Sequence, residues 1–340
     1  MVVFLEYVKI WKLIHRKSKK EKKKMRHWID MHCDTLSELL VTEPGETVEK
    51  NHLCVDVERM RQTSMLAEFF ACFVEIPDGE WDAGYQKVQQ MIARMEAEQL
   101  QIRKFRLLKS IRDLEWAKRE YGVLAMLTAE EGGILNGSLE RLEALYQKGV
   151  RLITLTWNYE NCIGYPNSRQ PEIMQRGLKP FGTQVVEVMN EKGMIVDVSH
   201  LSDGGFWDCI RQSSKPIVAS HSNARALCPH PRNLSDEMLH ALGEKGGVAG
   251  LNFYPQFLKK ERPTEIADIV RHGMYILRKA GEDAVALGTD FDGFEAGQDW
   301  IRGIEEMEQI WEAFHRAGMT QRQLDKLQYQ NVERILREIL

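Results

Sequence analysis

The chain has 340 residues, 43% of them hydrophobic and 28% charged, the composition of a globular enzyme with room for one large core. Its formal net charge of −4 divides into +7 on residues 1–24 and −11 on the remainder, so the body is mildly acidic and has no basic, aromatic-rich stripe for nucleic acid. The six cysteines (Cys33, Cys54, Cys72, Cys162, Cys209 and Cys228) form no CxxC pair, which points to reduced thiols and a cytoplasmic protein rather than a disulfide framework.

The chain opens on VVFLEYVKIWKLI, which Glu6, Lys9 and Lys12 make too charged, and its length too short, for a membrane span. The basic run RKSKKEKKK follows the apolar part, the reverse of a secretory signal. Residues 1–24 therefore read as a basic leader, either an amphipathic surface helix or a disordered tail, and Met25 is an alternative start. Residues 25–340 read as one domain.

From His27 onward, short apolar runs alternate with helical stretches. HWIDMH is the first expected strand and MLAEFFACFV, from Met65, the second. The helical pattern AGYQKVQQMIARMEAEQLQ separates it from the third, YGVLAMLTA. LERLEALYQKG reads as a helix stopped by Gly149, followed by RLITLT, the fourth. GTQVVEVMNEKG is a second helix with a glycine stop, followed by MIVDVS. KPIVAS, GGVAGLNF and DAVALGT complete eight runs, and the chain from Gly303 is helical, including LDKLQYQNVERILREI. Continuous apolar strands alternating with helices predict an α/β protein, a (β/α)8 TIM barrel with C-terminal helices. A doubly wound open sheet is the alternative.

Polar residues recur just after these runs: His32 and Asp34 after the first, Glu130 and Glu131 after the third, His200 and His221 after the fifth and sixth, and Asp290 after the eighth. Parallel strands in a barrel would bring all of them to the C-terminal mouth, where barrel enzymes place their chemistry. HxD puts an imidazole and a carboxylate on one side of a strand, a metal-ligand pair or a hydrogen-bonded buried pair. Cys33, between them, points the other way. In TAEEGG the glycines allow a close turn, and Glu131 is the expected bridging carboxylate, with Glu130 as competitor because one residue of error flips the side. Asp290 in LGTDFDG is a sixth ligand, a proton shuttle or a clamp for a substrate amine, and Asp292 is the less favoured neighbour.

These motifs (IDMHCDT, EEGG, RLITLT, PFGTQVVEVMNEKGMIVDVSH, VASHSNARAL, PRNLSDEML, GLNFYP and LGTDFDG) resemble, in order and spacing, those of the renal (membrane) dipeptidase family, over about residues 27 to 330. The resemblance implies a binuclear zinc dipeptidase holding two Zn2+ per chain. His32 and Asp34 would ligate one ion and His200 and His221 the other, with Glu131 bridging them. Arg232 in PRN would hold the substrate carboxylate, and Asp290 would handle the amine and the proton. A water activated between the two ions would attack the peptide carbonyl. The ligand mix also suits cobalt or manganese.

Mammalian relatives have a histidine after the LTLT strand where this chain has Trp157, which cannot act as ligand or proton carrier but can wall a pocket. Asn158 and Tyr159 are candidate substitutes at the substrate. The same centre could instead open N-acyl amino acids, β-lactams or lactones, or belong to an inactive metal-binding protein. The expected partner is a dipeptide or similar small amide, with no nucleic acid and no stable membrane span, and a homodimer is possible.

Overall fold

The computed structural model describes residues 27–42, 45–261, 263–295, 297 and 300–340. The leader expected at residues 1–24 and the alternative start at Met25 lie outside them.

The strands are β1 (Trp28–Cys33), β2 (Met65–Phe73), β3 (Phe105–Leu107), β4 (Val123–Glu130), β5 (Val150–Thr154), β6 (Ile195–Asp197), β7 (Val218–Ala219), β8 (Val248–Leu251) and β9 (Val285–Leu287). They pair in parallel in the order β1-β2-β4-β5-β6-β7-β8-β9. The ring closes where the backbone after β9 meets β1: Phe291 bridges in parallel to Cys33, Asp34 N donates to Phe291 O (2.8 Å), and Asp290 N donates to His32 O (3.2 Å). The eight apolar runs are thus the staves of a (β/α)8 barrel, and the open-sheet alternative falls. The additional strand, β3, pairs with the start of β4, and β5 pairs with the end of β4.

The helices form where the sequence punctuates them. Ser138 caps helix Leu139–Gln147 by accepting from Arg141 N, and the chain leaves it through Gly149 at φ 100°. Pro180 opens helix Pro180–Lys192, and Gly193, left-handed at φ 70°, closes it. No helix among the described residues is long and apolar enough to cross a membrane.

Strand alternation divides the core in two. Ile29, Met31, Phe69, Leu124, Met126, Leu152, Ile195 and Val248 share one cluster inside the barrel with Val332, Ile335, Leu336 and Ile339 of helix Asn331–Ile339, which plugs its N-terminal end. Val123, Ala125, Leu127 and Ala129 of β4 belong instead to the cluster under the outer helices. Period-two alternation along β4 therefore turns Thr128 and Glu130 into the barrel. β1 is less regular. Asp30 pairs with Glu68 and Cys33 with Phe70, three residues against two, a bulge that re-aims the side chains next to the mouth.

Candidate metal centre and active site

His32, Asp34, Glu130, His200, His221 and Asp290 converge at the C-terminal mouth. Their donor atoms fall into three overlapping groups: His32 with Asp34 and Glu130, Glu130 with His200 and His221, and His32 with His221 and Asp290. Glu130 lies at the centre. Its Oε2 is 3.3 Å from His32 Nε2, and its Oε1 is 3.2 Å from His200 Nε2 and 3.4 Å from His221 Nε2. Asp34 Oδ2 and Asp290 Oδ1 approach His32 Nε2 to 3.3 and 3.6 Å.

The expectation for Glu131 needs correction, because its carboxylate points away from this cluster. Oε1 accepts from Gly133 N (2.7 Å) and Asn161 Nδ2 (2.5 Å), and Oε2 accepts from Trp157 N (3.0 Å). The cause is parity: β4 ends at Glu130, which is in phase with Leu124 and Met126, and the next residue leaves the strand at φ 107°. Glu131 ties the turn after β4 to the loop after β5. Burial pushes its carboxyl up to about 7 against those three hydrogen bonds.

The surrounding hydrogen bonds orient the imidazoles. Asp197 accepts from Thr154 Oγ1 (2.7 Å), Ser199 N (3.0 Å), Ser220 N (2.8 Å) and Ser220 Oγ (2.6 Å). Ser220 Oγ, having given its proton to Asp197, accepts from His221 Nδ1 at 2.7 Å, which leaves a lone pair on His221 Nε2. Asn158 Oδ1, 3.1 Å from His200 Nδ1, does the same for His200. Asp30 holds the approach to Asp290 by accepting from Thr289 N (2.9 Å) and Thr289 Oγ1 (2.5 Å). Gly250 and Gly288 are required here, since a Cβ on either would fall 1.8 or 1.7 Å from Ser220 O. Asp197 and Ser220 sit inside apolar runs, and an acid within MIVDVS is the one sequence signal for this network.

His200 (φ 66°) and Asp290 (φ 65°) hold left-handed backbone that non-glycine residues rarely adopt. Such strain costs about 1–3 kcal/mol per residue and persists where surrounding bonds fix the geometry. Asn167 N and Nδ2 hold His200 O at 2.7 and 3.1 Å, and Asn252 Nδ2 donates to Asp290 Oδ2 at 2.9 Å.

The electrostatics call for positive charge. Burial pushes Asp34 up to about 7 and also raises Asp290. Burial opposes protonation of His32, yet Glu130 and Asp34 hold its pKa well above the ordinary value. Burial takes His200 down to about 3 and His221 well below its usual range, so both are neutral donors. His32 Nε2 is buried, faces three carboxylates and has no hydrogen bond of its own among the described residues. Three imidazoles and buried carboxylates with their free electron pairs turned to common points suit divalent cations of the zinc type.

A cleft of about 430 Å3 opens above the cluster, bordered by Phe73, Trp157, Asn158 and Tyr254. Trp157 packs on Phe73 (ring centroids 4.9 Å) and lies 6.0 Å from the His200 ring, so it is a wall. Tyr159 packs its ring on Trp157 (centroids 5.7 Å) and its hydroxyl donates to Glu75 Oε1 at 3.0 Å. Arg232 is buried below the rim. Its Nη1 donates to Ser222 Oγ and its Nη2 to His221 O, both at 3.1 Å, while Nε has no partner among the described residues. Burial pushes Arg232 down to about 10, opposed by Asp290 and Glu130.

The chain is similar in sequence and in fold to several known proteins. A protein of Klebsiella pneumoniae described as an uncharacterized protein in the pqqA 5' region is 38% identical over 69% of this chain and 89% of its own. An uncharacterized dipeptidase of Schizosaccharomyces pombe is 32% identical over 82% of this chain and 71% of its own. In fold, the chain is similar to a crystal structure described as dipeptidase AC, a metallopeptidase of family M19, with a TM-score of 0.82 at 24% identity, covering 93% of this chain and 99% of that one. The model of the membrane dipeptidase family matches residues 18–340, and the chain belongs to that family, peptidase family M19.

Proposed function

We infer that this chain hydrolyses the peptide bond of dipeptides with two divalent cations, zinc by the chemistry of the donors. His32 and Asp34 would hold one and His200 and His221 the other, with the Glu130 carboxylate lying between the two sites. The observation that carries this reading is that the two oxygens of Glu130 face separate histidine groups, His32 on one side and His200 with His221 on the other. When bound, the cations would polarise the scissile carbonyl and make a water nucleophilic near neutral pH.

This chain's own residues supply the rest. Asp290, held by Asn252 and raised by burial, takes the proton of the attacking water and passes it to the leaving amine as the C–N bond breaks. The unpartnered Nε–H of Arg232 and its buried positive charge receive the free carboxylate. Trp157 and Phe73 wall the cleft against bulk water, and Asn158 keeps His200 in register. The S. pombe relative carries the name dipeptidase, and so does dipeptidase tcpJ of Claviceps purpurea, 30% identical over 84% of this chain, which supports the substrate class.

The test is hydrolysis of a panel of L,L- and L,D-dipeptides before and after chelation, with bound metal quantified. Turnover that disappears on chelation and returns with zinc, at about two metals per chain, is the expected result. Two metals without dipeptide turnover would redirect the search to N-acyl amino acids, β-lactams and lactones. A chain that retains no metal would overturn the reading.

A further inference from the structure

Beside the main cleft lies a second cavity of about 340 Å3, lined by Arg169, His230, Gln256, Lys259 and Lys260 together with Cys228 and Pro229. Among the described residues, no acidic one lines it. Arg169 and Lys260 are exposed and have no ion pair or hydrogen bond among the described residues, and Lys259 reaches Asp268 only at 4.0 Å. His230 is neutral, pushed down to about 4 by burial and by Arg169, Arg232 and Arg225. Its Nδ1 accepts from Arg232 N at 3.2 Å, so its proton is on Nε2, a donor.

This cavity is joined to the catalytic machinery at three points. Gln256 borders both spaces. His230 bonds the backbone of Arg232, and its ring packs on Phe257 (4.7 Å), over which the Arg232 guanidinium lies at 5.4 Å. Arg169 is two residues from Asn167, which holds His200 O. The main cleft, in contrast, is bordered by Glu38, Asp292 and Glu295 as well as the central carboxylates. The mouth is therefore polarised, acidic over the cluster and cationic on the Arg232 flank. A substrate whose α-carboxylate reaches Arg232 has its second side chain one bond away from that carboxylate-bearing carbon, beside this flank.

We propose that the cavity between His230 and Lys260 is a subsite for an anionic side chain on the substrate's second residue, so that the preferred dipeptides end in an acidic amino acid. The inference rests on the dipeptidase reading. A pocket with cations of one sign and no internal acid concentrates anions and discriminates between a carboxylate and its isosteric amide.

The experiment compares kcat/KM of the zinc-loaded full chain for Ala-Glu against Ala-Gln and Ala-Asp against Ala-Asn, with either stereochemistry at the second residue. The expected result is a preference for the acid of about tenfold or more, weakening as salt rises. In the double variant R169Q/K260Q the ratio should fall to within about twofold while turnover of Ala-Gln is unchanged. Both residues are exposed, so the barrel is spared. Equal rates for acid and amide in the unaltered protein, or a preference that survives in the double variant, would overturn the subsite and leave the dipeptidase reading standing. No turnover of any dipeptide would overturn both.

Discussion

His200 and His221 face one another through their Nε2 atoms at 3.0 Å, each with its other ring nitrogen engaged, His200 with Asn158 and His221 with Ser220. Two neutral imidazoles so held direct their lone pairs at a common point, which is stable only with positive charge between or beside them. Replacing His221 with Ala should lower bound zinc from about two to about one per chain and cut kcat by about a hundredfold or more. Elemental analysis and dipeptide turnover on the same sample check this, and two metals retained in the variant would contradict it.

Glu130 and Glu131 are adjacent, yet they should respond oppositely to loss of charge. Glu130→Gln removes the carboxylate between His32, His200 and His221 and should abolish stable binding of both metals. Glu131→Gln keeps the cluster but sets an amide N–H against either Trp157 N–H or the donors Gly133 N and Asn161 Nδ2. It should cost about 1–3 kcal/mol in denaturant unfolding and leave metal content intact. The reverse outcome would restore Glu131 as the bridging residue.

That pair shows how far the sequence could be read. The eight staves were legible because buried parallel strands are continuous apolar runs, and His32, Asp34, His200, His221 and Asp290 were legible because each follows such a run. Choosing between Glu130 and Glu131 required the phase of β4, and Leu124 and Met126 carry that phase only once the inward face is known. β3 is three residues long and too short to show a period. The Asp197–Ser220–His221 relay joins β6 to the segment after β7, and partners across strands leave no mark in local pattern. Arg232 and Tyr159 show the same limit, since neither burial nor direction follows from a loop motif.

Ser220 tests that relay. Ser220→Ala leaves His221 Nδ1 without its acceptor and Asp197 without one of its donors, while the ligand set itself is untouched. Because the oxygen next to Nδ1 fixes the tautomer and raises ligand basicity, zinc affinity should fall by about 10–100-fold. Competition with a chelator of known affinity reads this directly. Ser220→Thr, which keeps the hydroxyl, should recover most of the loss, and equal affinity in the alanine variant would show that His221 is oriented by packing alone.

His272 provides a pH-dependent term away from the cluster. It is fully buried, its Nδ1 accepts from Ala224 N at 3.1 Å, and its Nε2 donates to Leu258 O at 2.8 Å, pinning helix Ile266–Ala280 to the loop that leads to Arg232. Burial pushes its pKa down from 6.5 to about 4. The unfolded chain therefore takes up a proton before the native state does. The stabilisation is complete above the unfolded value, drains as pH falls from 6.5, and levels off below the folded value near 4. Between about pH 7.5 and about pH 5 the native protein should lose about 2 kcal/mol through this group. His272→Gln, less stable at neutral pH, should show a correspondingly smaller loss over the same interval in denaturant titrations. Direct observation of the His272 ring by NMR gives an independent check: titration near pH 6.5 in the folded protein would remove the effect, whereas an imidazole still neutral at about pH 5 is the expected result.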